Sequence, residues 1–377
     1  MPLPSSQSSK FFRATQVAIA FIFVSSVCNL DAVDGFFAKA VIDSPLLRQK
    51  IATNRSITVD INGNGDFKSV QAAIDSVPDR NSDWIIIHVR KGVYREKVSI
   101  PHNKPYIFMR GNGKGKTAID WSQSSEDNIE SATFKVEAPH FVAFGISFKN
   151  EAPTGIAYTS QNQSVAAYVG ADMVAFYHCA FYSSHNTLFD LKGRHYYDSC
   201  YIQGSIDFIF GHAQSIFHSC EIFVIADRRM EIHGSITAHK RESAKENTGF
   251  VFIEGQVFGI GDVYLGRAKG AYSRVIFANT YISKTVVPQG WTNWSYAGST
   301  ERVRAWPDGG SALLLGVMPD LSFIIVINLH HAEYNCHGPG SNSTNRAPWS
   351  KQLSDKEAAP FLSIDFINGK DWLPAWL

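Results

Sequence analysis

Residues 203–211, QGSIDFIFG, read as an otherwise apolar and glycine-bounded strand that holds one carboxylate, Asp207. A lone carboxylate in such a place is costly unless it is paired or hydrogen-bonded. Asp207 is therefore either a structural residue bonded to backbone at a corner of the chain, or a nucleophile or acid–base group. Residues 264–274, YLGRAKGAYSR, offer Arg267 among glycines as a partner. An arginine beside an aspartate keeps the carboxylate ionised and fixes its direction. Residues 161–172, QNQSVAAYVGAD, add Gln163, an uncharged donor ahead of a strand. In 183–190, SSHNTLFD, His185 can carry a proton near neutral pH, whereas Asn186 can neither gain nor lose one. In an extended strand these neighbours face opposite sides; in a turn both reach one cleft. Spacing alone leaves structural and catalytic roles open at each position.

The scaffold that would bring these residues together is legible from a repeat. After residue 55 the spacing of Phe67, Val70, Ile74 and Val77 predicts one short helix that Pro78 stops. WIIIHV (84–89) and VYREKVSI (93–100) read as strands. FVAFGISF (141–148), VAFYHCAF (174–181), HYYDSCYI (195–202) and SIFHSCEI (215–222) then share one apolar pattern, and RVIFANTYI (274–282) is another copy. Cys179, Cys200 and Cys220 fall at the same point of successive copies. A strand-and-turn repeat of about twenty residues indicates a solenoid. No tight two-residue hairpin signals favour antiparallel pairing. The expected fold is all-β, a right-handed single-stranded parallel β-helix whose stacked coils bury a continuous core. The cysteines then form an inward ladder of small core residues, since free cysteine is among the most buried types. No CxxC or His-rich spacing points to zinc.

The chain has 377 residues, enough for one large domain or two ordinary ones, and a formal net charge of +1. That balance does not indicate nucleic acid as a partner; recognition of an anionic ligand has to be local. Lys10 and Arg13 precede the apolar run 14–28 and then small and polar residues, the pattern of a signal peptide over 1–33. The run is shorter than the ~18–20 residues of a membrane span, so no membrane association is expected after cleavage. Asn54, Asn162, Asn293 and Asn342 begin N-x-[ST] sequons, which fits secretion and glycosylation.

Taken together, GVYREKVSI (92–100), QSVAAYVGADMVAFYHC (163–179), GSIDFIFG (204–211), YLGR (264–267) and GWTNW (290–294) resemble, in order, the signature blocks of plant pectin methylesterases. AEYNCHGPGS (332–341) and FINGKDWLP (366–374) extend the resemblance, which runs from about residue 56 to 377. It implies a secreted β-helical enzyme of the plant cell wall that hydrolyses methyl esters of homogalacturonan to pectate and methanol. Asp207 matches the family's nucleophile, Arg267 the arginine that holds it, and Gln163 the first of two oxyanion-hole glutamines. Phe189, Phe210 and Tyr264 match aromatic positions along the cleft. No metal or organic cofactor is implied. A proteinaceous pectinesterase inhibitor is an implied partner, and a monomer is expected.

Three positions depart from the family pattern. Gln-Asp before Thr-Leu is here His185-Asn186, so the second oxyanion donor and the acid–base carboxylate are both replaced. The tryptophan two residues after the arginine is here Lys269, which turns a stacking surface into a cation, or else a solvated surface lysine. His185 is a substitute proton carrier if the stretch is a turn. The apolar segment 304–330 is read as an atypical insertion, with retained intron sequence in the gene as its explanation. The readings are an active pectinesterase, a slow or inactive pectin-binding pseudoenzyme, and, last, a lyase or glycosidase. A lyase wants a calcium-binding acidic cluster, and an inverting hydrolase wants paired carboxylates across a cleft.

Overall fold

The computed structural model describes residues 55–153, 163–225, 234–292 and 328–373. The segment 1–33, the sequons at Asn54, Asn162 and Asn293, and most of 304–330 lie outside the described residues. Asn342 is exposed, with its Oδ1 accepting from the Thr344 amide at 2.9 Å.

The strands form three parallel sheets, of eleven, eight and eight strands among the described residues. The first sheet runs from Ser56–Val59 to Lys351–Gln352, the second from Gly92–Arg95 to Tyr281–Ile282, and the third from Val98–Ile100 to Trp291–Thr292. Each coil crosses them in turn, and strands pair with their equivalents one coil away, as in Val174–Tyr177 with Arg194–Asp198. This is the parallel β-helix that the repeat predicts.

The repeat has one feature that its apolar pattern conceals. Each copy is two strands, not one: Phe141–Phe144 with Ser147–Asn150, and Arg194–Asp198 with Tyr201–Gly204. The break is a single residue at positive φ, namely Gly145 (64°), His178 (51°), Ser199 (51°), Ser219 (50°) and Asn279 (50°). Only Gly145 adopts this left-handed geometry without steric cost. At the other corners a hydrogen bond to the next coil offsets the cost: the amides of His178, Ser199 and Ser219 donate to the carbonyls of Asp198, His218 and Ile253 at 2.9, 3.0 and 2.8 Å. VYREKVSI also divides, into Gly92–Arg95 of the second sheet and Val98–Ile100 of the third, at a corner without a positive-φ residue. The inward positions step by three across a positive-φ corner, as from Tyr197 to Cys200, but the strand before it is apolar on both faces, so period counting does not register the break and merges the two strands.

The interior is a ladder of rings. Phe176, Tyr197, Phe217, Phe252 and Phe277 stack with centroids 5.3, 4.6, 4.5 and 4.4 Å apart and planes within 10° of parallel. Such pairs contribute about 0.5–1.5 kcal/mol each beyond area burial, and they penalise a slipped register. Cys179, Cys200 and Cys220 stack beside them as buried free thiols, the inward ladder expected. Within this core lies a polar knot. Asp190 accepts from His195 Nδ1 (2.6 Å) and Tyr197 Oη (2.6 Å) on one oxygen and from Ser215 Oγ on the other. His195 Nε2 also meets the Ala171 carbonyl at 2.7 Å.

The expected helix is Val70–Asp75. Ser69 caps it, and the Glu96 carboxylate accepts from the Val70 and Gln71 amides at 2.7 and 3.0 Å, satisfying first-turn donors that have no partner within the helix. At the other end the helix Asp355–Leu362, with a Ser354/Glu357 capping box, brings Phe361 against the first sheet, and the turn Ile364–Ile367 that follows brings Phe366.

Candidate active site

The corner between the second and third sheets gathers the residues singled out above. Asp207 is not within a strand. It lies between Tyr201–Gly204 and Ile209–Gly211 at φ 45°, so the strand reading of its surroundings is corrected to a corner. One coil earlier, His185 pairs with Ile206, which sets Asn186 (φ 58°) beside Asp207 at the equivalent position. The stretch 185–186 is thus a turn. Its amide closes the step, Asn186 N donating to Ile206 O at 3.4 Å.

Arg267 Nε donates to both Asp207 oxygens at 2.8 Å, Nη2 adds a further bond to Oδ2, and Ser235 Oγ donates to Oδ1 at 2.6 Å. The Asp207 side chain is 14% exposed and that of Arg267 11%. Burial pushes the Asp207 carboxyl up. The Arg267 charge and hydrogen bonds, the Ser235 hydroxyl and the Lys269 charge together outweigh burial and hold it below its ordinary range. The result is an ionised, aimed carboxylate at a partly open surface. Arg267 can lie there because Gly266 precedes it: a Cβ on Gly266 would sit 2.2 Å from Thr237 Oγ1 and push Val263–Ala268 off Gly234–His239.

Gln163 is held by a pair of backbone bonds with Ser125, each 3.1 Å. Its Oε1 accepts from Asn186 Nδ2 at 3.0 Å, and the same Nδ2 donates to Asn128 Oδ1 at 2.8 Å. Behind them Asn150, 2% exposed, donates to the carbonyls of Gln123, Ser131 and Val165 at 2.9, 2.8 and 3.0 Å. It thereby ties the segment of Asn128 to the segment of Gln163. His185 is buried (4% exposed).

Tyr168, Phe189, Phe210, Ala238 and Arg267 occupy one register column across the third sheet. Phe189 stacks on Phe210 at 4.4 Å and 12°, and Tyr168 meets Phe189 edge-on at 5.4 Å. This aromatic platform runs in register toward the guanidinium. Lys269 is not a solvated surface lysine: it is half-buried with Nζ 4.9 Å from the Phe210 centroid, a cation–π contact. Tyr264 is half-buried and in register with Ser235. Ser235, Asn128, Asn150 and Tyr168 escape sequence reading, because polar or aromatic residues of their type recur throughout the chain. Among the described residues no group of three His, Cys, Asp or Glu side chains is placed to hold a metal ion.

The comparisons with known proteins agree in kind. The family model "Pectinesterase" matches residues 56–303. Probable pectinesterase 67 of Arabidopsis thaliana is 62% identical over 365 residues, 97% of this chain and 98% of that one. Putative pectinesterase 11 of the same plant is 40% identical over 319 residues, 84% and 80% of the two chains. The pectin methylesterase from carrot superposes with a TM-score of 0.72 at 27% identity, over 85% of this chain and 96% of that one. A pectin methylesterase in complex with a hexasaccharide shares the fold, with a TM-score of 0.68 at 21% identity over 86% and 100%. The coil is accordingly the right-handed β-helix expected from the repeat.

Proposed function

The chain belongs to the plant pectinesterase family, carboxylic ester hydrolases that demethylate pectin, and on that premise we propose how its own residues divide the work. Asp207 is the nucleophile. Its carboxylate attacks the methyl-ester carbonyl carbon of a galacturonate unit, and the pair donated by Asp207 forms the new C–O bond while the carbonyl oxygen takes up negative charge. Gln163 Nε2 is the donor to that oxygen, where a donor is worth most because the charge exists only in the transition state. Arg267 and Ser235 keep Asp207 ionised and directed. Phe189 and Tyr264 offer the surface on which sugar rings and methyl groups pack, Phe210 backs it as a buried ring stacked on Phe189, and Lys269 is a cation at its edge. The observation that carries this reading is the Asp207–Arg267–Ser235 cluster opening beside the Gln163 and Asn186 amides.

Asn186 supplies no transferable proton, so the departing methoxide oxygen must take its proton from water. General acid–base catalysis is worth ~10²–10⁴-fold, and turnover falls short of an aspartate-bearing relative by a factor of that order. The second reading, a pectin-binding pseudoenzyme, draws on the same feature: both Asn186 amide hydrogens are engaged by Asn128 and Gln163. His185, buried beneath the corner, is the weaker candidate for proton transfer. Methanol release from highly methylated pectin by the purified protein, beside Asp207→Ala, decides between the readings. Slow release abolished by Asp207→Ala supports the hydrolase. No release, with pectin still bound, supports the pseudoenzyme.

The wider assignment follows from family membership and the sequence. Residues 1–33 act as a signal peptide, and 56–377 form the pectinesterase domain with 304–330 as an insertion. The enzyme works outside the cell in the plant wall as a monomer, carries glycan at sequons such as Asn342, and is open to a proteinaceous inhibitor at its cleft. Among the described residues no helix is long and apolar enough to cross a membrane.

A further inference from the structure

Asn186 has two amide hydrogens and one amide oxygen. Both hydrogens are committed, one to Asn128 Oδ1 at 2.8 Å and one to Gln163 Oε1 at 3.0 Å. With Asn128 and Gln163 presenting their oxygens, turning the Asn186 amide over would lose both bonds. Its Oδ1 is left as the group presented to the cleft. The same contact occupies Gln163 Oε1 and leaves Gln163 Nε2 as the donor. Neither atom is a fully buried polar atom left without a partner. The three amides therefore set the polarity of the site: a donor at Gln163 and an acceptor at Asn186.

The position of Asn128 is itself fixed. It opens the turn Asn128–Ser131, whose second amide is capped by Asp127 (Ile129 N to Oδ1, 2.8 Å). Ser131 Oγ donates back to the Asn128 carbonyl at 3.0 Å. Asn150 holds the far end of that turn through the Ser131 carbonyl. The Ser125–Gln163 bridge ties the near end to the site.

We propose that Asn128 is a positioning residue for the second half-reaction: by accepting from Asn186 it locks the Asn186 Oδ1 toward the cleft, where that oxygen seats the hydrolytic water. This rests on the ester-hydrolase reading above. In the step, the water oxygen forms a bond to the acyl carbon joined to Asp207. The bond from that carbon to the Asp207 oxygen breaks, and its electron pair returns to the carboxylate. The proton lost by the attacking water passes to bulk water, since an amide oxygen accepts a hydrogen bond but holds no proton at neutral pH. Asn186 thus aligns the nucleophile of deacylation and takes no part in protonating methanol, which departs in the preceding step.

The test compares Asn128→Leu, which deletes the acceptor, with Asn128→Asp, which keeps it. Stopped-flow methanol release from methylated pectin is expected to show kcat down roughly 10-fold in Asn128→Leu, about the worth of one fixed hydrogen bond, with KM down in proportion and kcat/KM unchanged. Methanol should then appear as a burst of one equivalent per protein, because the acyl-enzyme accumulates. Asn128→Asp should stay within about 2-fold of wild type. Equal kcat in wild type and Asn128→Leu, or equal losses in both variants, overturns the proposal. A second readout does not need turnover. The Asn186 side-chain amide signals, assigned by their disappearance in Asn186→Asp, should exchange with water about 10-fold faster in Asn128→Leu. Unchanged exchange overturns the lock. A wild type that releases no methanol sinks the hydrolase reading while the exchange measurement still decides the lock.

Discussion

Asn186 and Asp207 stand at the same corner of successive coils, both in the left-handed region, at φ 58° and 45°. Asparagine and aspartate are the side-chain-bearing residues that enter this region most readily. The fold therefore already accommodates, one coil on, the aspartate that position 186 lacks.

Asn186→Asp should fold normally and release methanol faster by about 10²-fold, the low end of the range for general acid–base catalysis. The gain stays at the low end because a carboxylate would face Asn128 Oδ1 and Gln163 Oε1. Both amides must then turn over to donate, and Gln163 gives up part of its hold on the oxyanion. Methanol assays across pH check this. An unchanged rate would show that position 186 does not limit turnover.

Arg267→Ala removes the largest influence that opposes burial at Asp207. With it gone, burial should raise the Asp207 pKa above the ordinary carboxylate range. In wild type the depressed value contributes stability above the unfolded pKa, and this is lost as pH falls through the folded pKa. In the variant the sign reverses. The acid limb of its pH–rate profile should lie at higher pH, and its stability should fall as pH rises through the elevated value. A limb that does not move would mean that Ser235 and Lys269 suffice to hold the charge.

Lys269→Met keeps an apolar stem on Phe210 and removes the charge. On partly demethylated, anionic pectin at low salt, KM should rise about 3-fold. The difference should vanish at roughly 0.5 M salt, where charges are screened beyond a few ångströms. Fully methylated pectin should be little affected. Equal effects on both substrates would point to packing and not charge.

Asp190→Asn breaks the interior knot of His195, Tyr197 and Ser215. Removing one partner of a buried pair costs about 3–5 kcal/mol, read as a lowered urea midpoint. Burial lowers the His195 pKa, but Asp190 and the Ala171 carbonyl more than compensate and raise it. The pair's contribution is thus fully present below the ordinary imidazole pKa and lost as pH rises through the elevated folded value. Wild-type stability should decline on the alkaline side, and the variant's should not follow that decline.

The residues differ in how far the sequence discloses them. The coil was legible from the apolar repeat and the cysteine spacing, because every coil must bury the same inward positions. The corners were not, since the strand before each is apolar on both faces and hides the three-residue inward step, as from Tyr197 to Cys200 around Ser199. Asp207, Arg267 and Gln163 stood out as polar groups amid apolar or glycine-rich surroundings and are brought together. Lys269 looked like a solvated surface residue because the ring beneath it, Phe210, lies about sixty positions away in sequence. Ser235 and Asn128 gain meaning only from their partners, which no local pattern encodes.

The aromatic column Tyr168–Phe189–Phe210 gives way at Ala238, in register with Arg267. That methyl carries no chemistry, yet it is where the row of rings stops. A ring at 238 would continue the platform into the volume across which the guanidinium reaches Asp207. The working site is therefore specified as much by a missing side chain as by the charged ones. A change as mild as Ala238→Phe, which leaves Asp207, Arg267 and Gln163 in place, should silence the enzyme.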